Sequence, residues 1–354
     1  MLCLFSFLSI FILEKYLYIN VKLDDTSVNY TIDKIVKCSL AFLPLLLLPE
    51  YIKRVNFDSK HLYLIILVFI LTSITFNISF FIKNGLDRDT IAEKLNPIIL
   101  YDYISIALTF ILLPYAVNLK KYSYPLIFLC LTNMLLIILH GSRGSWFGIP
   151  LCFLILFFTF YKTYTRKILT IFITPIIGFL GLIFLPNSSI WLRIQKIFQD
   201  SQEVSQQNYH SSIGTRIKIW EETWLLFQKN PLYGVGYKNI VNETCLLAKN
   251  GILPGCFAHA HNTYLEEITA HGLLGIGLLL SIFILPTIFF IKNYNIQKHN
   301  SIHLSGLLFI SYLICCAFTD YIFINIGYSV FTLLTLTILI SLSYIAVYNS
   351  KSNH

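Results

Sequence analysis

Long apolar runs constrain the fold of this chain more than any other feature. Several reach the length of about 20 residues that an α-helix needs to cross a bilayer. Hydrophobic residues make up 56% of the 354 residues and charged residues only 12%, which excludes a pair of soluble domains. The pattern predicts an all-α polytopic integral membrane protein with about ten membrane-spanning helices, at residues 2–19, 35–52, 61–82, 98–119, 122–140, 145–162, 168–186, 264–290, 302–319 and 325–348.

The distribution of Lys and Arg predicts the orientation of these spans. The connections on one side carry eleven of these residues, whereas the short connections on the other side carry six and are diluted by Asp and Glu. The positive-inside rule then predicts cytoplasmic termini and an outward segment at 187–263, between N-terminal spans at 1–186 and C-terminal spans at 264–354. The formal charge of +8 is explained by these loops, and we expect no nucleic-acid partner because no basic and aromatic motif accompanies it.

The N-terminal sequence MLCLFSFLSIFIL has neither a basic start nor a small-residue cleavage site. We therefore interpret it as the first span and not as a cleaved signal.

A polar stretch, HAHNTYLEEITAHG at residues 259–272, lies directly before an apolar run. Thr263 and Glu266 have the spacing of a capping box, which predicts that a helix begins at Thr263. His261 then lies just outside the first turn, where the positive end of the helix disfavours a second positive charge. We expect a neutral His261 that can accept a proton. The alternative is a histidine pair that only caps the helix or lies among lipid headgroups.

The outward segment contains a second distinctive stretch, GTRIKIWEETWLLFQKNPLYGVG. It predicts a helix over residues 215–229 with Arg216 in its first turn, where a cation is unfavourable for the helix. An anionic ligand at Arg216 would compensate for this cost, and pairing with Glu221, Glu222 or a lipid phosphate is the alternative. One buried stripe is expected from the apolar residues at helical spacing, namely Ile217, Trp220, Trp224 and Phe227.

Two more charged residues are unusual for their surroundings. Arg143 lies in HGSRGSWFG, a hinge between two spans, where Gly141 and Gly144 allow a ligand to approach closely. Bidentate recognition of phosphate is expected there, with a lipid headgroup contact as the alternative. Asp320 lies at the outward end of a span and is expected to pair with an arginine or to orient a histidine.

Cys245 and Cys256 differ from the other six of the eight cysteines because they lie in the polar outward segment. A disulfide between them would fit an oxidising compartment, but the spacing leaves free thiols equally open.

Several function classes are disfavoured by what the sequence contains. Neither a GxxxxGKS loop nor a GxGxxG turn after a strand is present, so we expect no nucleotide cofactor. A flippase or transporter would place its charges near the bilayer midplane, whereas the polar motifs above map to one aqueous face. Asp24 and Asp25 could serve a metal-dependent glycosyltransferase, but adjacent acids in a polar loop are more often solvated, and we expect no metal.

Taken in order, these motifs resemble the O-antigen ligase family of bacterial envelope enzymes. The similar segments are GSRGSWFG, GTRIKIWEETWLLFQKNPLYGVG, HAHNTYLEEITAHGLLGIG and the TD pair before the last span. The resemblance covers residues 140–325. Ten predicted spans are fewer than the twelve usual for that family, and the first 135 residues resemble it only in being spans.

The resemblance implies a GT-C-like glycosyltransferase architecture in the bacterial inner membrane. It implies metal-free, inverting transfer of an O-antigen glycan from undecaprenyl pyrophosphate to a lipid A-core sugar at the periplasmic face. The essential arginines of the family correspond to Arg143 and Arg216, its essential histidine to His261 and its late acidic residue to Asp320. Further substrate-binding side chains are expected at His259, Asn262, Tyr264, Glu266 and Trp220.

The acceptor and the assembly state are not defined by the sequence. A polymerase that extends a second lipid-linked glycan and a protein O-oligosaccharyltransferase would share the same motifs. An assembly protein without catalysis would not explain why a neutral base accompanies two anion-binding cations. The expected partners are the lipid-linked donor, the acceptor and membrane lipids, and the oligomeric state stays open.

Overall fold

A computed structural model describes residues 47–95, 98–183, 189–298, 300–323 and 326–352. Within these ranges every regular element is a helix. Residues 47–54 are helical, and the bounded helices that follow are α1 (Ser59–Asn84), α2 (Arg88–Lys94), α3 (Ile98–Asn118), α4 (Ser123–Ile138), α5 (Arg143–Trp146), α6 (Ile149–Phe160), α7 (Thr165–Ile183), α8 (Ser189–Ser205), α9 (Ser212–Lys229), α10 (Tyr237–Lys249), α11 (Thr263–Ile296), α12 (Ser301–Cys316) and α13 (Ile326–Ser352).

The described helices confirm an all-α polytopic membrane protein. Five segments are long and apolar enough to cross a bilayer, and two shorter apolar helices, α4 and α12, accompany them. The five segments are Ser59–Asn84, Ile98–Asn118, Arg143–Phe160, Thr263–Ile296 and Gly327–Ser350. The predicted span at 2–19, most of the one at 35–52, and Asp24 with Asp25 lie outside the described residues.

The chain divides into two compact units. The first contains Ile197–Leu285 and Ala317–Thr335, and the second contains Tyr51–Lys196, Pro286–Cys316 and the chain from Leu336. In the second unit α3 is central, because α1, α4 and α12 all pack against it. Its side chains Ile106, Ala107, Phe110 and Ile111 are completely buried. An apolar helix enclosed by other helices in this way forms the core of the unit.

In the first unit, α11 is interrupted at Gly272, whose φ of 65° and ψ of −156° are not helical. The loop before α10 approaches the helix at this point, and Val235 N–H and Gly236 N–H donate to the carbonyls of Thr269 and Ala270. Beyond the break, Leu273 N–H donates to the carbonyl of Pro231. The polar turns from Thr263 to His271 therefore form a short helix of their own before the apolar run.

Candidate active site

The segment that carries the histidine pair is fixed by its own side chains where it enters α11. The Asn262 Oδ1 atom accepts hydrogen bonds from the N–H groups of Tyr264 and Leu265, at 3.0 and 3.1 Å. Asn262 is therefore the N-cap, and the predicted capping box of Thr263 with Glu266 is wrong, although α11 does begin at Thr263. Glu266 is completely buried and accepts instead from the Ala260 N–H, at 2.5 Å.

Three titratable side chains meet directly before this helix. His261 Nδ1 lies 3.3 Å from Asp320 Oδ1, and His259 Nε2 lies 3.4 Å from the same oxygen. The two ring nitrogens are themselves 3.1 Å apart. The three side chains keep 16%, 22% and 12% of their surface exposed for His259, His261 and Asp320, so a substrate can reach them. The predicted role of Asp320 as a partner of a histidine agrees with this geometry.

Asp320 is held in place by the backbone around it. Its Oδ1 atom accepts from the Tyr321 N–H at 2.8 Å, and its carbonyl accepts from the Thr263 hydroxyl at 2.8 Å. The Thr263 N–H donates to the carbonyl of Ala317. The first residue of α11 therefore connects the segment that carries Asp320 to the segment that carries the histidines.

The electrostatics of the cluster favour an uncharged His261. Burial lowers the pKa of His261 below its usual value, and the electrostatic interactions with His259 and Arg216 act in the same direction, while Asp320 opposes them. Burial alone would raise the pKa of Asp320, but its hydrogen bonds to His259 and His261 and its electrostatic interactions with them outweigh burial and hold this pKa far below its ordinary range. Asp320 is therefore charged, and His261 beside it is neutral.

The contacts of His261 suit one tautomer of its ring. A charged carboxylate only accepts, so a proton on His261 Nδ1 points to Asp320 and leaves Nε2 with the lone pair. This is the arrangement in which an acidic residue orients a catalytic imidazole.

The same three side chains could also hold a metal ion. One ligand atom from each of His259, His261 and Asp320 lies within 4.8 Å of the others. Two imidazoles and a carboxylate are ligands that Zn²⁺ accepts. The separations of 3.1 to 3.4 Å between these atoms suit direct hydrogen bonds as well.

Helix α9 lies beside the cluster and differs from its prediction in two ways. It begins at Ser212, so Arg216 occupies the second turn and not the first, and the cost of a cation at the N-terminus does not apply. The predicted stripe is only partly right, because Phe227 is buried but Ile217 and Trp224 are 40% and 46% exposed, and Ile219 and Thr223 are buried instead. For Trp224 the reason is that an aromatic ring with a polar edge tolerates a wet or interfacial position.

Trp220 and Tyr264 have structural contacts of their own. The Trp220 indole N–H donates to the Ala260 carbonyl at 2.8 Å, between the two histidines. The Tyr264 ring packs against Phe318, with ring centres 4.4 Å apart. Trp220 therefore supports the histidine segment, and a sugar contact by either ring stays a prediction.

Glu267 is a buried acidic residue that the sequence analysis missed. The Tyr321 hydroxyl donates to its Oε1 atom at 2.5 Å, the Tyr237 hydroxyl donates to the same carboxylate at 3.0 Å, and His271 Nδ1 lies 3.0 Å from Oε2. Burial, with the nearby Glu267 charge, raises the pKa of both tyrosines well above the usual value, so both remain donors. The Glu267 to His271 spacing of four residues was a signal for part of this cluster.

Arg143 belongs to the second unit. It is the first residue of α5 and is half-buried, and Gly141 before it has a φ of 73°, which favours glycine. Next to this hinge, His140 Nδ1 lies 2.6 Å from Asp102 Oδ1, and both side chains are completely buried. The sequence analysis missed this pair, although an acidic residue inside an apolar span is itself a signal.

Among the predicted site residues, the structure brings together Arg216, His259, His261 and Asp320, and a joint site with Arg143 stays a prediction.

Comparison with known proteins agrees with the motifs. A protein of Haemophilus influenzae, itself uncharacterized, is 29% identical over 170 residues, which cover 46% of this chain and 41% of that protein. The chain thus spans less than half of the length of this relative. The sequence model of the family described as O-Antigen ligase matches residues 126–280. Over these residues the chain is similar to the O-antigen ligase family, and the matched segment includes Arg143, Arg216 and His261 and ends before Asp320.

Proposed function

We propose that this protein is an O-antigen ligase. In this proposal it transfers a glycan from undecaprenyl pyrophosphate to a hydroxyl of the lipid A core, at the periplasmic face of the bacterial inner membrane. The observation that carries the proposal is the triad of His259, His261 and Asp320 within reach of the Arg216 charge. A family domain over residues 126–280 supports the reaction class.

The reaction needs a base and a stabilised leaving group. The acceptor oxygen forms a bond to the anomeric carbon while the bond from that carbon to the pyrophosphate oxygen breaks, which inverts the centre. The hydroxyl proton passes to His261 Nε2, and Asp320 stabilises the imidazolium that forms. The electron pair of the broken bond leaves with the pyrophosphate, whose growing charge Arg143 and Arg216 are proposed to hold.

The base assignment is tested by His261→Ala in a reconstituted transfer assay. General-base catalysis contributes roughly 10²- to 10⁴-fold, so we expect a loss of that size in kcat with the protein still folded and inserted. His210→Ala is the matched control, because His210 lies in the same outward segment with an exposed ring. Full transfer by the His261 variant would overturn the assignment.

The identity of the acceptor and a requirement for a metal ion are tested in the same assay. Purified lipid A-core, a lipid-linked repeat unit alone and a pilin are offered separately, and we expect product only with lipid A-core. Product from the repeat unit alone would indicate a polymerase, and product from the pilin a protein glycosyltransferase. Transfer that survives EDTA supports acid–base chemistry, whereas loss on EDTA and recovery with Zn²⁺ would favour a metal at the triad.

A further inference from the structure

An apolar groove runs along the second unit between α1 and α3. Its volume is about 550 Å³, and its lining is apolar apart from the hydroxyls of Thr72, Ser73 and Tyr101. The Tyr101 hydroxyl is already bonded to Ser73 at 2.7 Å and to Asn77 at 3.0 Å. Because these polar groups are satisfied within the protein, the groove offers hydrocarbon contact and little else.

A basic pocket adjoins one end of this groove. It measures about 350 Å³ and is lined by Ser79, Phe80, Lys83, Asn84 and Lys94, with no acidic side chain among the described residues of its lining. Phe76 lines both cavities, so they are continuous along α1. Lys94 Nζ donates to Asn84 Oδ1 at 2.5 Å, which holds the second ammonium at the end of α1 beside Lys83.

The two cavities together have the dimensions of a lipid site. Phe69 and Lys83 are fourteen residues apart on α1, which corresponds to about 21 Å along the helix. The hydrocarbon core of a bilayer is about 30 Å thick, so the groove reaches past its middle while the lysines lie near one surface. Hydrocarbon along the groove and a phosphate between the lysines would satisfy both environments.

The basic end lies at the same end of the second unit as the Arg143 hinge. The Phe81 ring, two residues before Lys83, contacts the ring of His140 with centres 5.5 Å apart. His140 is three residues before Arg143. A lipid phosphate bound at the lysines would therefore be delivered close to an arginine that is proposed to bind pyrophosphate.

We infer that the groove and the basic pocket bind a polyprenyl phosphate, with the prenyl chain between α1 and α3 and the phosphate at Lys83 and Lys94. A single groove accepts one chain, and polyprenyl phosphates carry one chain for each phosphate head, whereas membrane phospholipids carry two. Lysine ammonium groups bind phosphate as point charges without a fixed geometry. The inference rests on the proposed function, since this lipid is the anchor of the proposed glycan donor.

The test measures binding of undecaprenyl phosphate to the purified protein in detergent, by native mass spectrometry, against phosphatidylglycerol. Thr72→Trp fills the groove and Lys83→Gln with Lys94→Gln removes the charge. We expect each to weaken binding by about tenfold or more. Thr75→Trp is the matched control, because Thr75 is also exposed on α1 and bonds its own helix carbonyl as Thr72 does, but does not line the groove.

Equal binding by the Thr72 and Thr75 variants, or equal affinity for phosphatidylglycerol, would overturn the inference. A photoreactive polyprenyl phosphate added to the unaltered protein avoids any folding defect, and its cross-links should map to α1 and α3. Binding in the groove without glycan transfer to any acceptor would contradict only the proposed function. If Thr72→Trp leaves both glycan transfer and binding of undecaprenyl phosphate unchanged, only the assignment of the lipid to the groove is contradicted.

Discussion

The backbone at His261 is strained in a way that fits a functional residue. Its φ is 51°, in the left-handed region that residues other than glycine rarely adopt. The preceding Ala260 is held from both sides, since its N–H donates to Glu266 and its carbonyl accepts from Trp220. Such strain persists only where the surroundings fix the conformation, and it is common at active sites.

From the sequence, only the direction of the pKa shift of His261 was predictable, and not its main cause. The expectation relied on the positive end of a helix, whereas burial is the largest cause of the lowered pKa in the structure. The contributions of Asp320 and Arg216 come from residues 59 and 45 positions away in the chain. Contacts at such separations leave no periodic signal in a single sequence.

A pH profile of transfer tests this environment. Transfer requires neutral His261, so kcat should fall as pH decreases through the pKa of His261 in the substrate complex, which we expect to lie below the ordinary 6.5. Asp320→Asn removes a carboxylate that raises this pKa, so the acidic limb should move to lower pH, with a lower maximal rate. Profiles of kcat are measured for both proteins, and a limb that moves to higher pH would contradict the assigned contribution of Asp320.

Among the helices, those formed by long apolar runs could be predicted and their local breaks could not. Helices α1, α3 and α12 follow the spans expected from hydropathy to within a few residues. The run from Leu273 onward also forms a helix, but the sequence AHGLLGIG gave no reason to place a break at Gly272. The break depends on the loop at Pro231 to Gly236, whose proximity is a tertiary effect.

Gly272 is expected to resist substitution. A Cβ at this position would collide with the carbonyl of Leu232, and the positive φ is unfavourable for alanine. Gly272→Ala should therefore lower the free energy of unfolding by about 2 to 4 kcal/mol. Thermal unfolding in detergent is compared with Gly277→Ala, where a Cβ on the same helix meets nothing within 4 Å. Equal stability of the two variants would mean that the loop at Leu232 moves to accommodate the added methyl group at little cost in free energy.

The disulfide between Cys245 and Cys256 connects the second half of α10 to the segment before the histidines. The sequence left this pairing open, and the structure supplies it. A short closed loop contributes about 3 kcal/mol, so reductant should lower the unfolding temperature of the protein. The double serine variant should start at the lower temperature and not respond to reductant. If reductant lowers the unfolding temperature of that variant as well, the change does not arise from the bond between Cys245 and Cys256.

At the level of the whole molecule, each compact unit combines stretches that are distant in the chain. In the first unit the segment Ile197–Leu285 associates with Ala317–Thr335, which brings Asp320 to the histidines. In the second unit Asn77, Asp102 and His140 come from three helices or their ends, and His140 lies 2.8 Å from Asn77 Oδ1. Both ring nitrogens of His140 thus face acceptors, an arrangement that hydropathy does not reveal.

The predicted cooperation of Arg143 with Arg216 can be tested without assuming any geometry. Arg143→Lys and Arg216→Lys are each expected to lower kcat by roughly 10²-fold, because lysine cannot replace bidentate phosphate contacts. Residues that stabilise one leaving group act as a unit, so the double variant should lose far less than the product of the two effects.

The matched control for this cycle is Arg166→Lys, because Arg166 is an exposed arginine of the second unit in α7. Combined with Arg216→Lys it should add nothing to the loss from Arg216→Lys alone. Initial rates with saturating donor are measured for all variants. If the losses at Arg143 and Arg216 multiply, the two arginines act on separate steps, and the shared pyrophosphate clamp is wrong while the base assignment of His261 stands.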